Sequence, residues 1–312
     1  RTGTHKAMIF EWLRVGGRSE DKTRVYGFTR SWSQIGSALS VLVASAIVLW
    51  SGSYSKVFLY SAVPYLIGIV NFLGYPAYLD GERTAAVSLR AVFGHLFETV
   101  RTVWKSGQLR RTLLESMVQD GTYNASKDYL QPILKQAALA MPVLLYLQGE
   151  ERTAVLVGAV YFILHLVSSY ASRLAHRVSA AAGGEVPASR RLWAVELIVF
   201  LAMVPLFVYD RKALLIAAFV LLAVIQNVWR PILLARIDTT SDPSMGATIL
   251  SVESQAKSLF VMGLAPLLGY VIDGIASPHL KFLPVAIFGL VAVVTVLVAT
   301  GGGRNRLPAA SS

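Results

Sequence analysis

The sequence predicts an all-α integral membrane protein, and three observations predict it. Hydrophobic residues make up 54% of the 312 positions and charged residues only 15%, where a soluble globular protein carries roughly 25% charged residues. The apolar residues gather in runs of roughly 20, the length a helix needs to cross the hydrocarbon core. Basic residues collect in alternate connections between those runs, as expected when Lys and Arg stay on the cytoplasmic side. The mean hydropathy is +0.55. These features exclude a disordered chain and an ordinary soluble enzyme. The absence of cysteine excludes a disulfide-stapled secreted domain.

The runs fall at 31–50, 56–78, 153–176, 192–209, 212–235, 247–272 and 282–300. A further stretch, 111–147, is long and more polar, and Gly121, Pro132 and Pro142 interrupt it. It reads as one span with a kinked outer end, for a total of about eight. The net charge of +11 then has a membrane reading before a nucleic-acid one. Loops 14–30, 79–110 and 177–191, Arg236 and the tail with Arg304 and Arg306 form a basic cytoplasmic set. The opposite connections hold only Lys56, Arg152, Arg211, Lys212 and Lys281.

The longest inner connection repeats Ala85, Leu89, Val92, Phe93, Leu96, Val100 and Val103 on a helical period, with Arg90, Glu98, Arg101 and Lys105 between them. That pattern predicts an amphipathic helix on the cytoplasmic surface. It divides the chain into 1–79, a linker at 80–110, a six-span unit at 111–300 and a tail at 301–312. Residues 1–13 have the character of the inner end of a helix whose apolar body precedes them, so the sequence is expected to be a fragment.

Ionisable groups at bilayer depth cost a few kcal/mol and are expected to face the bundle interior. Asp120, Asn124, Lys127, Asp128 and Gln131 fall on one helical stripe at spacings of three and four, with Tyr123 beside it. They are candidates for a polar wall around a substrate, with Asp128 or Asp120 as a proton carrier. The plainer reading is an internal Lys–Asp pair. Gln226, Asn227, Trp229 and Arg230 precede Pro231, which frees a backbone carbonyl. Arg230 reads either as snorkelling to the inner interface or as a gate. Glu253 and Lys257 are four apart, so a pair within their helix is expected; the alternative is a gate with Arg230 or Asp238. Glu196 is expected to have a surface or interhelical partner. Gln34 and Asn71 are single amides suited to helix–helix hydrogen bonds.

No enzymatic or metal-spaced constellation is present. His5, His95, His165, His176 and His279 are scattered, and neither H-E-x-x-H nor a P-loop occurs. No cofactor is expected.

Several segments carry a family resemblance. RTGTHKAMIFEWL (1–13), with Gly3, Thr4, Ala7 and Glu11, is similar to the end of the fourth helix of the major facilitator superfamily. RVYGFTRSWSQIGSAL (24–39) resembles the entry to the fifth, where Gly36 and Ser37 are small residues that permit close helix approach. NVWRPILLARID (227–238) resembles the end of the tenth helix. GATILSVESQAKSLFVMGLAPLLGYVID (246–273), with Ser251, Ala265, Pro266, Gly269 and Asp273, resembles the eleventh. SSYASRLAHRVSAAAGG (168–184) keeps Arg173, Arg177 and Gly183 of the family's loop signature and lacks its acid.

The resemblance implies helices five to twelve of a major-facilitator-like bundle in the plasma membrane, acting as a monomer. It implies transport of a small organic solute by alternating access, coupled to protons. Substrate and coupling residues would then include Asp120, Tyr123, Asn124, Lys127, Asp128, Gln131, Gln226 and Asn227, and gate residues Arg230, Asp238, Glu253 and Lys257. The competing expectations are a polytopic membrane enzyme, such as a lipid-modifying transferase, and a fragment that does not transport.

Overall fold

In the computed structural model, residues 4–74, 94, 97–98, 101–140, 147, 149–240 and 245–301 are described. Among them there is no strand. The helices are α1 (Thr4–Val15), α2 (Lys22–Ser51), α3 (Ser55–Tyr60), α4 (Ala62–Leu73), α5 (Gly107–Lys127), α6 (Leu130–Ala140), α7 (Gly149–Ala182), α8 (Glu185–Val208), α9 (Lys212–Thr240), α10 (Gly246–Asp273) and α11 (Leu283–Gly301). Among the described residues, six stretches are long and apolar enough to cross a membrane: 19–51, 55–73, 151–182, 185–208, 212–240 and 248–273. The chain has the architecture of a multi-pass helical membrane protein.

Most of these helices outrun their apolar windows at the basic end. The 31–50 run is part of a helix that begins at Lys22, and the 212–235 run continues to Thr240. The 56–78 run is divided at Ser61; Pro64 follows, and its ring disfavours the ladder bond to the previous turn. Of the predicted amphipathic helix at 80–110, residues 94, 97–98 and 101–110 are described, and 101–105 are helical; the rest lies outside the described residues. Of its apolar repeat only Val103 is described, and it is buried.

The single kinked span expected at 111–147 is instead two helices. α5 ends at Lys127 and α6 begins at Leu130. The break lies just before Pro132, which lacks the N–H that would bond the carbonyl of Asp128. Gly121 does not interrupt the helix; a Cβ there would run into the ring of Phe260, so its role is to let α5 and α10 come close. α5 is the most polar of the long helices because it is central. It packs against α9, α10 and α11 and buries Thr112, Glu115, Ser116, Gln119, Asp120, Thr122 and Ser126. A helix enclosed by other helices needs no lipid-compatible surface.

The packing between the first and second parts of the chain is a seam of small residues between α2 and α7. Gly27 meets the backbone carbonyl of Ser172. Ser31 shares a 2.8 Å hydrogen bond with Ser169. Ser45 donates to the carbonyl of Ala154 at 3.2 Å, and Gly158 lies against Ser45. Contacts climb α2 as they descend α7, so the helices are antiparallel. Without a hydrophobic drive between helices in lipid, close packing and hydrogen bonds hold such a pair. The expectation for Gly36 is corrected here: nothing approaches it, Ser37 bonds only its own helix at the carbonyl of Ser33, and the close approach falls at Gly27.

One end of the bundle gathers the basic connections. Lys22 pairs with Asp238, Thr23 donates to Glu185 at 2.7 Å, and Arg236 donates to Glu115 at 2.7 Å and to Ser189 at 2.9 Å. These contacts bring the starts of α2, α5 and α8 and the end of α9 together. The apolar core lies between α8, α9 and α11, where Phe200, Met203, Phe207, Trp229 and Ile232 are fully buried.

Candidate functional site

A cavity of about 540 Å³ opens in the middle of the bundle, lined from α1, α2, α5, the start of α6, α7, α9 and α10. Its buried wall is ionic. Asp120 on α5 is 3% exposed, and its Oδ2 lies 2.9 Å from Arg230 and 3.0 Å from Lys257. Its Oδ1 accepts from Gln226. Arg230 on α9 grips Glu253 on α10 with two contacts, Nη1–Oε1 at 2.7 Å and Nη2–Oε2 at 2.9 Å. Ser116 donates to Glu253 as well, and Lys6 of α1 stands 3.9 Å from the same carboxylate. Each carboxylate therefore meets at least one cation, the arrangement that offsets the desolvation cost of a buried charge.

The facing wall is built on Asn227. Its Oδ1 accepts from Arg30 at 2.8 Å and from Gln34 at 2.9 Å, and Gln34 in turn bonds His165 at 2.7 Å. Pro231, one turn on, cannot bond the carbonyl of Asn227; Ser172 of α7 takes that place from 3.3 Å. The same proline lies beside Gly27, so three helices meet where the ladder of α9 is broken. Tyr26, Tyr123, Tyr161, Leu164, Phe219 and Leu222 supply the aromatic and apolar lining.

Most of the residues selected from the sequence come together here. Asp120, Tyr123, Asn124, Lys127, Asp128, Gln226, Asn227, Arg230 and Lys257 all line the cavity. Glu253 stands behind it on Arg230. Lys127 and Asp128 are exposed at its rim, and no ion pair joins them; the internal Lys–Asp pair is that of Asp120 with Lys257 on α10.

Four expectations are corrected. Gln131 is exposed and outside the cavity, because the stripe was continued across the break before Pro132. Glu253 and Lys257 do not pair within α10; they reach to Arg230 and Asp120 on neighbouring helices. Arg230 does not snorkel: it is 3% exposed, and α9 continues for ten residues beyond it. Asp238 takes no part in the Arg230 network and pairs with Lys22.

Glu196 is buried on α8 and has the interhelical partner expected of it, Gln119 of α5. Gln34 fulfils the expected interhelical role, whereas Asn71 is exposed. Lys6, Arg30, Tyr161, His165 and Ser254 also line the cavity and were not singled out as site residues. Arg30 was within reach: seven residues after Gly27 stand Gln34, and Arg30 lies between them on the same face.

Comparison with protein families finds no family that matches the chain. Comparison with curated proteins likewise returns no match.

Proposed function

We propose that this chain works as a secondary active transporter of the major-facilitator type, moving a small organic solute by alternating access with proton coupling. The observation that carries the proposal is the central cavity. A bundle with apolar helices on its outside holds between them a void of about 540 Å³ lined by charged and amide side chains from α1, α2, α5, α9 and α10. Ligand sites of this size are typical for small molecules. Transporter sites lie at the bilayer midplane between two moving halves.

The contacts across the two parts of the chain support a state closed at the basic end. Lys22–Asp238 and Thr23–Glu185 bridge α2 to α9 and α8 there, and Lys6–Glu253 bridges α1 to α10 deeper, at the cavity wall. The exposed Lys127 and Asp128 rim the cavity at the other end of α5. Reading the basic end as cytoplasmic makes this an outward-facing conformer. In the cycle, breaking Lys22–Asp238 opens the inner side, and Asp120 or Asp128 carries the proton.

Proteoliposomes test the proposal. A pH gradient should drive solute uptake above that of protein-free vesicles, and Asp120→Asn should abolish the gradient-driven part. Uptake that ignores both the gradient and Asp120→Asn would sink the coupling role of Asp120.

A further inference from the structure

We infer that the solute this cavity accepts is a small organic anion with an aromatic or apolar body; the inference rests on the transport reading and names its substrate class. The charge balance argues it. Lys127 and Asp128 stand together on the exposed rim and offset each other. Inside, Lys6, Arg30, Arg230 and Lys257 face only two carboxylates, Asp120 and Glu253. The interior therefore holds two more basic groups than carboxylates.

In a low-dielectric wall such an excess is unfavourable until an anion enters, and it draws anions from solution. The excess has a place. Arg30 spends its Nε on the neutral Asn227, and no described carboxylate lies within ion-pair reach of it. Lys6 reaches Glu253 only at 3.9 Å, beyond a hydrogen bond. Planar guanidinium groups bind carboxylates with two parallel hydrogen bonds, so Arg30 is the group that receives the anionic end.

Size separates an organic anion from an inorganic one. A water molecule takes about 30 Å³ of liquid volume, and a chloride or phosphate ion would leave most of the roughly 540 Å³ unfilled. Tyr26, Tyr123, Tyr161, Leu164 and Phe219 offer the remaining volume to an apolar or aromatic body. The arrangement matches an amphiphilic anion with its charge at Arg30 and its body along the tyrosines.

Three shape-matched probes test this on the purified full chain: 2-naphthoate, 2-naphthylmethanol and 2-naphthylmethylamine. Equilibrium binding should favour the carboxylate at least ten-fold over the other two. Arg30→Gln, which keeps an N–H donor for Asn227, should lower naphthoate binding about ten-fold while leaving the size-exclusion profile monodisperse; Lys56→Gln, far from the cavity, should change it less than two-fold. Preference for the amine, equal binding of all three, or no binding of any overturns the inference. Vesicle flux of the same probes keeps the two proposals apart. Naphthoate that binds without crossing would sink the transport reading and leave the anion site standing. Flux of the amine alone would overturn the anion site and leave transport standing.

Discussion

Arg230 and Glu253 lie on adjacent helices and face each other with both nitrogens and both oxygens, at 2.7 and 2.9 Å, each almost wholly removed from solvent. Asp120 shares the same guanidinium at 2.9 Å. Three helices, α5, α9 and α10, are thus tied at a single side chain. A group held this way sets the geometry of everything beside it, and the cavity wall at Asp120 and Lys257 inherits its position from this pair.

Removing one partner should be costly. Glu253→Leu leaves Arg230 with Asp120 alone, and breaking a buried pair costs about 3–5 kcal/mol. Thermal unfolding in detergent should show a large fall in midpoint. The double change Glu253→Leu with Arg230→Met should recover most of the loss, because Asp120 keeps Lys257 and the guanidinium left without Glu253 is gone, with only the distant Lys6 losing a partner. A double variant as unstable as the single one would show that the pair acts through packing.

The seam between α2 and α7 makes a prediction about backbone spacing. Gly27→Val places two methyl groups where the carbonyl of Ser172 now sits, so the helices must separate and the Ser31–Ser169 bond must lengthen or break. The expected loss is about 1–3 kcal/mol, the usual cost of overpacking. Gly36→Val, with open space around it, should be near neutral. Equal effects at both glycines, in the same unfolding assay, would refute the seam.

Asp120→Asn should do more than slow transport. It removes the carboxylate that Arg230 and Lys257 share and leaves four interior cations facing Glu253 alone. Binding of an anionic probe should strengthen while coupled flux falls. Asp128→Asn, on the exposed rim, should shift stability by less than about 0.5 kcal/mol, so any flux lost there reports on function.

Lys22 and Asp238 close the basic end. Asp238→Asn should favour the state open at that end. A cysteine introduced at Ser254, which lines the cavity and is otherwise buried, should then react faster with a thiol reagent applied from the inner side. The natural chain has no cysteine, so the label is unambiguous. Unchanged reactivity would remove this pair from the gate.

Much of this arrangement is legible in the sequence because lipid imposes simple rules. Apolar run lengths and basic connections gave the helices and their shared end. The spacing of Asp120, Asn124 and Lys127 gave one wall of the cavity, since α5 is regular up to Lys127. Legibility failed where a helix boundary mattered. Arg30 was counted with the charges of a loop, yet α2 starts at Lys22 and carries Arg30 two turns into the bundle. Gln131 was placed beyond a break that Pro132 enforces. The partners of Glu253 and Lys257 were misassigned because contacts across helices outweigh neighbours within one, and no local spacing encodes which helices meet.

The junction of Gly27, Ser172 and Pro231 has a mechanical meaning. At that point α9 lacks one of its own ladder bonds, and a hydroxyl from another helix stands in for it at 3.3 Å. Flexing α9 there stretches one weak link instead of tearing a regular one, and the bare backbone of Gly27 leaves no side chain in the way. Arg230, next to the proline, and Asn227, one turn before it, both sit at this pivot, so a small bend would move the lining they carry relative to their partners on α2, α5 and α10.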